Sequence, residues 1–141
     1  MLLAWRACKR RYDPFDGAGA ELVGGRWNSP GRPVIYAADS FAGALLEILA
    51  HSTRPRTLPG PHHAIRLEIP DELIERLEPG DLAGWHLRDS PAACAFGDAW
   101  LDGARSAVVV VPAVLVNPRH PAAGRITRGR LFPVPWDERL F

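Results

Sequence analysis

Residues 33–51 read PVIYAADSFAGALLEILAH, and they join a short strand to an amphipathic helix. The first part, residues 33–38, is apolar and β-branched, which predicts a strand with Tyr36 on one face. Ser40 is a good helix N-cap, and apolar residues follow it at the spacing of one helical face. Those residues are Phe41, Ala44, Leu45 and Ile48. Glu47 lies outside this apolar arc, so its carboxylate is expected to point away from the packed face.

Three further segments have the patterns of strands. Residues 65–69 alternate apolar and charged side chains with a period of two, which is typical of a half-buried strand, and Pro70 ends it. Residues 107–111 contain a valine run that predicts a strand covered on both faces. Residues 130–134 are expected to add a final strand near the end of the chain.

Two further helices and one loop complete the expected order of elements. Ser90 and Pro91 supply an N-cap and a first-turn proline for a helix that ends near Gly103. Residues 71–77 are expected to form a short helix. Residues 15–25 are rich in glycine and are interpreted as a loop.

The size and composition indicate one ordinary folded domain. The chain has 141 residues, of which 47% are hydrophobic and 23% are charged. This length is sufficient for a single domain with its own core, and several strands with a few short helices indicate the α+β class. We therefore expect residues 1–141 to form a single α+β domain.

The charge and hydropathy of the chain exclude some classes of partner. Seventeen basic and sixteen acidic residues leave a net charge of +1, so no direct nucleic-acid partner is expected. Basic clusters at residues 9–11 and 119–130 are interpreted either as solvated surface or as a site for an anionic ligand. The longest apolar run, residues 107–116, is about half the length of a membrane span. Residues 1–5 are too short for a secretory signal, so we expect a cytoplasmic protein without a membrane anchor.

Common signatures of metal and catalytic sites are absent from the sequence. Cys8 and Cys94 are far apart, which indicates neither a disulfide framework nor a zinc site. The pair His62 and His63 has no nearby acidic or thiol partner, so no metal is predicted. No serine occupies a hydrolase elbow, and no phosphate loop or dinucleotide fingerprint is present.

Three residues have both an ordinary and a functional interpretation. Glu47 could be a solvated surface residue, or a cleft-facing carboxylate left uncrowded by the small neighbours Gly43 and Ala50. Arg26 could be a surface charge, or a ligand-binding group between a glycine pair and an aromatic side chain. Tyr36 is by default a core aromatic residue. Spacing alone does not choose between these interpretations.

Several stretches of this chain resemble the RES-domain family of bacterial toxins, and together they span nearly all of it. The earlier stretches are GAGA at 17–20, GGRWNSPG at 24–31, PVIY at 33–36 and ALLEILAH at 44–51. The later stretches are GDAWL at 97–101, VP at 111–112, VNPRHP at 116–121 and WDERL at 136–140.

This resemblance implies a fold, an activity and partners. The implied fold is related to ADP-ribosyltransferases, with a mixed β-sheet core. The implied substrate is NAD⁺, which such toxins consume by hydrolysis or phosphorolysis of the nicotinamide–ribose bond or use to ADP-ribosylate a protein. The implied partners are an antitoxin with a helix-turn-helix domain and a second copy of the toxin within a larger complex.

The resemblance also implies the site residues. Its catalytic positions fall on Arg26, Tyr36 and Glu47, and Glu47 would stabilise the oxocarbenium-like cation that develops on the ribose. Arg26 would bind the pyrophosphate, with Arg6 as a second candidate, and Trp27 or Tyr36 would offer a stacking face. The implied NAD⁺-binding residues are Arg6, Gly25, Trp27, Asn28 and Asn117.

One family position departs from the pattern, because Ala113 stands where the family has a serine after a valine-proline pair. Either another hydroxyl serves, or the chemistry is altered. Two other functions therefore stay open: a catalytically weakened module that binds NAD⁺ or an antitoxin, and an RNA-cleaving toxin. The second lacks a paired-histidine constellation and a broad basic surface.

Overall fold

Two small sheets form the centre of the fold in a computed structural model, which describes residues 1–51 and 57–141. The first sheet contains β1 (Leu2–Lys9) and β3 (His62–Ile69), which pair antiparallel along their whole length, so that Arg6 lies opposite Ile65. Two short strands extend it, β7 (Thr127–Arg128) and β8 (Phe132–Pro133), and both pair antiparallel with β3.

The second sheet has mixed strand directions. Its order is β2 (Ile35–Ala37), β6 (Val114–Val116), β5 (Val108–Val110) and β4 (Ile74–Arg76). The first three strands are antiparallel, whereas β4 pairs parallel with β5. The valine run of β5 therefore lies between two neighbours, as its pattern predicts.

In the described part of the chain, three α-helices complete the architecture: α1 (Ala18–Val23), α2 (Phe41–Ala50) and α3 (Pro91–Gly103). The hydroxyl of Ser40 accepts a hydrogen bond from Gly43 N at 2.9 Å, and that of Ser90 accepts one from Ala93 N at 3.1 Å. Both N-caps predicted from the sequence are confirmed.

The core has three parts, and they show how the elements are layered. The faces that the two sheets turn to each other enclose Ile35, Leu67, Val108 and Val116. The outer face of the first sheet packs Ala7 and Ala64 against Ala44 of α2. The outer face of the second sheet packs Val109 and Leu115 against Trp100 of α3. The order of layers is therefore α2, first sheet, second sheet, α3.

The α+β class is confirmed, and some element assignments need correction. Residues 71–77 are not a helix: after one 3₁₀ turn at Asp71–Leu73, the chain forms β4, whose partner β5 lies more than 30 residues ahead. The stretch 15–25 is not all loop, because it contains α1. Within the described residues, no helix is long and apolar enough to cross a bilayer.

Candidate functional site

A cavity of about 1540 Å³ is lined by most of the residues that the sequence singles out. Its walls come from β1, the loop before β2, the second half of α2, the loop before α3 and the turn at Pro112 and Ala113. The predicted site residues that line it are Arg6, Gly25, Arg26, Trp27, Tyr36 and Glu47. Asn28 and Asn117 do not line it; both are buried beneath the surface.

The hydroxyl of Tyr36 holds the loop that carries Arg26. It donates a hydrogen bond to Asn28 Oδ1 at 2.7 Å and accepts one from Trp27 N at 3.0 Å. Burial raises the pKa of Tyr36 to about 12, so the group is a neutral phenol near pH 7. Gly25 passes so close that an added Cβ would lie 2.6 Å from the Tyr36 oxygen. A residue larger than glycine at position 25 would therefore collide with the Tyr36 hydroxyl.

Asn28 and Asn117 use their polar groups inside the protein. Asn28 Nδ2 donates to the carbonyls of Ala20, Ser29 and Arg32 at 2.9, 3.2 and 3.1 Å. Asn117 Oδ1 accepts from Arg119 N at 3.0 Å. In this structure the two side chains support loops beside the cavity.

Helix α3 fixes the same loop from the other side. Asp98 accepts hydrogen bonds from the backbone N–H and the hydroxyl of Ser29, at 2.8 and 2.5 Å. Gly97 lies directly against the loop, where a Cβ would overlap the carbonyl oxygen of Trp27. The loop is thus pinned between Tyr36 and α3.

Arg6 brings a positive charge to the cavity without a matching carboxylate. It is half-buried on β1, and its Nη1 donates one long hydrogen bond, 3.3 Å, to the carbonyl of Tyr36. It forms no ion pair with any carboxylate in residues 1–51 and 57–141. Burial lowers the pKa of Arg6, because desolvation outweighs the opposing fields of Cys8 and Asp16. Most of its donors remain available to an anion.

Arg26 is engaged differently. Its Nη1 donates to the carbonyls of Trp85 and Leu87, each at 2.8 Å, and so reaches across to the loop that precedes α3. The rings of Trp27 and Trp85 stack beside it, with centroids 6.5 Å apart and planes inclined by 19°.

Glu47 is an exposed acidic group of the cavity. It lies in the second half of α2, and 71% of its side chain is accessible. His51, one turn further on, places Nδ1 4.0 Å from the Glu47 carboxylate while donating a hydrogen bond to the Glu47 carbonyl at 2.8 Å. No other ion pair of Glu47 occurs among the described residues, so its oxygens are free for a ligand.

The position of the missing family serine also faces the cavity. Ala113 lines the wall beside Pro112 and brings no hydroxyl to it. Ser90 lines the same cavity, but its hydroxyl caps α3, and the hydroxyl of Ser29 is bonded to Asp98.

Sequence reasoning missed several residues of the cavity wall, among them His62, Trp85, Arg88 and Cys94. The signal available for Trp85 was a large aromatic residue in a polar, glycine-containing stretch, which is an uncommon place for one. No group of three or more metal-binding side chains occurs among the residues that the structure describes.

Fold and site together define a single α+β domain with three arginines, a tyrosine and a glutamate among the residues around one cavity. The RES domain family matches residues 3–137. A "Prs ADP-ribosylating toxin" from Sphingobium sp. (strain YBL2) is 35% identical, and the match covers 91% of this chain and 87% of that protein. A "Toxin Res" from Pseudomonas putida is 33% identical, with 99% and 100% covered. This chain therefore belongs to the RES domain toxin family.

A solved structure is similar in fold. The toxin–antitoxin complex of MbcT and MbcA from M. tuberculosis contains a chain that superposes with a TM-score of 0.76 at 22% identity. The match covers 94% of the present chain and 84% of that one. The layered α+β architecture is thus shared across distant sequences.

Proposed function

We propose that this protein is the toxin of a toxin–antitoxin system and that it consumes NAD⁺ by cleaving the bond between nicotinamide and ribose, with water or phosphate as the acceptor. The observation that carries the proposal is the gathering of Arg6, Arg26, Tyr36 and Glu47 around one cavity. Each belongs to a different element or loop, so the fold brings them together.

Arg6 supports binding of the pyrophosphate. A partly desolvated guanidinium without a carboxylate partner is costly, and an anion that occupies the cavity would relieve this cost. Phosphate oxygens match the planar donors of arginine in two-point hydrogen bonds. Arg6 thus takes the pyrophosphate-binding role for which the sequence put Arg26 first.

Glu47 supports the bond-breaking step. As nicotinamide leaves, positive charge develops on the ribose, and a carboxylate beside it stabilises the transition state more than the ground state. The open position of Glu47 on α2 lets a ribose ring approach and displace its water. Tyr36 contributes indirectly, because its hydroxyl shapes the loop of Trp27 and Arg26.

A second candidate function is transfer of ADP-ribose to a protein. It is favoured by the name of the 35% identical relative, an ADP-ribosylating toxin. Glu47 is exposed, so an acceptor side chain on another protein could reach the ribose as readily as water could. The two candidates share every step up to the departure of nicotinamide.

The test is nicotinamide release by the wild-type protein and by Glu47→Gln. The amide keeps the shape of the side chain but removes its charge, so we expect the rate to fall by about 10²-fold or more. The melting curve should stay unchanged because Glu47 makes no buried contact. The matched control is Glu138→Gln, an exposed glutamate outside the cavity. An undiminished rate in Glu47→Gln would contradict the assignment.

Mass spectrometry of the products then separates the acceptors. Incubation with NAD⁺ is carried out with and without phosphate, and with and without cell protein. ADP-ribose indicates water, ADP-ribose-1″-phosphate indicates phosphate, and a mass increase on a protein indicates transfer. Conversion of NAD⁺ to none of these would contradict both candidates.

The partners follow from family membership and stay part of the proposal. We expect an antitoxin with a helix-turn-helix domain to bind the toxin, and two toxin chains to be present in a larger cytoplasmic complex. The MbcT–MbcA structure, which contains a toxin and its antitoxin, supports the first expectation. Native mass spectrometry of the co-expressed pair measures both; a purely monomeric toxin would contradict them.

A further inference from the structure

Residues 82–90 form a connecting loop beside the cavity, and they include none of the site residues predicted from the sequence. The loop follows a 3₁₀ turn at Pro79–Asp81 and leads into α3. Four of its residues line the cavity: Trp85, Arg88, Asp89 and Ser90. Its middle is exposed, and Asp89 has a left-handed backbone with φ of 54°. The loop belongs to neither sheet and forms part of the cavity wall.

The middle of this loop has few attachments to the rest of the protein. Its backbone hydrogen bonds are local, from Trp85 N to Leu82 O at 3.4 Å and from Leu87 N to Gly84 O at 3.1 Å. Among the described residues, the hydrogen bonds that reach it from outside come from Arg26, whose Nη1 donates to the carbonyls of Trp85 and Leu87. Arg26 is 59 and 61 residues away from these carbonyls in sequence. We call this pair of hydrogen bonds the strap, because it ties the loop at 82–90 to the loop that carries Arg26.

Packed aromatic rings also connect this loop to the core. Trp27 is buried, and its ring packs in a T-shaped arrangement with that of Phe96 on α3, with ring centroids 6.0 Å apart. Trp85 is half-buried and stacks on Trp27 from the cavity side. Trp27 is thus part of the core, and Phe96 and Trp85 pack against that core from α3 and from the loop.

We propose that Trp85 is a substrate-binding residue that covers an aromatic ring of NAD⁺, and that Arg26 is the positioning residue that holds it there. The proposal rests on the proposed function for its ligand. Both N–H groups of Arg26 Nη1 are already taken by carbonyls, which leaves its Nε and Nη2 for the substrate. Arg26 then affects NAD⁺ binding chiefly through the loop.

The strap is tested without NAD⁺, by hydrogen exchange of the loop in Arg26→Ala. Loss of two hydrogen bonds should speed exchange of a peptide covering residues 82–90 by about tenfold. Arg139→Ala is the matched control, because Arg139 is exposed and its ion pair is with the nearby Asp137. Arg26→Gln, which keeps a shorter donor, is a second variant. If the loop exchanges in both Arg26 variants as it does in the wild type, the strap does not exist.

The role of Trp85 is tested by the KM for NAD⁺. Stacking on a base is lost in Trp85→Ala, which should raise KM about tenfold while kcat changes less, and Trp85→Phe should restore most of the affinity. If Arg26 acts through Trp85, adding Trp85→Ala to Arg26→Ala raises KM little further. If the KM increases of the two single variants multiply in the double variant, Arg26 acts independently of Trp85, and this part of the proposal is overturned.

A last measurement separates this proposal from the proposed function. NAD⁺ binding to Glu47→Gln is measured by calorimetry, and exchange of the 82–90 peptide is measured in the same mixture. Binding with protection of the peptide supports the role of Trp85. Binding without protection overturns that role but leaves NAD⁺ as the substrate. No binding overturns the proposed function and the ligand of Trp85 together, while the strap is still judged from the exchange of the unliganded variants.

Discussion

The two walls of the cavity differ in how their polar groups are used. In the loop wall, residues 24–32, the side chains of Asn28 and Ser29 already have partners inside the protein. In the helix wall, the second half of α2, the side chains of Glu47 and His51 are 71% and 81% accessible. Groups that are already bonded give the site its shape, whereas groups that are free can act on a ligand.

This difference separates the energetic consequences of substitution. A buried polar group that loses its partner pays a desolvation cost that nothing replaces. Changes in the loop wall should therefore lower stability first and activity as a consequence. Changes in the helix wall should leave stability nearly intact, so any effect on activity is direct. Substitutions in and against each wall test this separation.

Gly97→Ala, on the face of α3 that contacts the loop wall, should be the most damaging single-methyl change for that wall. The new Cβ would overlap the Trp27 carbonyl oxygen, which belongs to backbone held by hydrogen bonds to Tyr36 and Asp98. We expect a loss of about 3 kcal/mol or more in the free energy of unfolding, measured by urea denaturation.

The control for Gly97→Ala is Gly103→Ala at the end of the same helix. A Cβ at Gly103 would meet no atom within 4 Å, and alanine is the better helix former, so stability should stay equal or rise. If the two variants unfold at the same urea concentration, the close contact between α3 and the loop is not tight, and the loop wall is not pinned.

Tyr36→Phe should have an intermediate effect. Removal of the hydroxyl leaves Trp27 N and Asn28 Oδ1 without their partner, which costs about 1–3 kcal/mol of stability. Tyr12→Phe is the control, because Tyr12 is exposed and its hydroxyl makes no hydrogen bond among the described residues. A thermal melt of Tyr36→Phe that matches the wild type would remove Tyr36 from the support of the loop.

The parts of the fold that the sequence predicted are those specified by neighbouring residues. The N-cap of α2 is three residues from the N–H that it binds, and the same is true of α3. The valine run was recognised because a strand buried on both faces needs no particular partner to be apolar. Such signals are contained within about ten residues of sequence.

The missed elements depend on distant partners. β1 places Arg6 and Cys8 on a partly buried face, so no clean alternation marks it, and its partner β3 begins more than 50 residues later. β4 is three residues long and exists because β5 supplies a parallel edge. The β-propensity of a short segment does not show which distant strand it will pair with, so neither pairing could be predicted.

The site shows the same limit in a different form. The family resemblance pointed to Arg26, Tyr36 and Asn28 as site residues, but a resemblance does not distinguish a supporting residue from a ligand-binding one. The structure separates their contacts: Asn28 is buried and Tyr36 has its hydroxyl occupied, while Arg26 reaches a loop 59 residues away. Only long-range hydrogen bonds carry this information.

His51→Ala should have the smallest effect on stability and thus gives the sharpest test of the helix wall. The imidazole is 81% accessible, its distance of 4.0 Å from the Glu47 carboxylate is too long for a direct hydrogen bond, and water screens the pair. The side chain does donate to the Glu47 carbonyl, but the backbone N–H of residue 51 binds the same oxygen at 3.2 Å and is retained in the variant. The unfolding free energy should therefore change by less than about 0.5 kcal/mol in urea denaturation. A loss as large as that of Tyr36→Phe would mean that the helix wall is pinned as firmly as the loop wall, and the exposure of Glu47 would no longer separate chemistry from support.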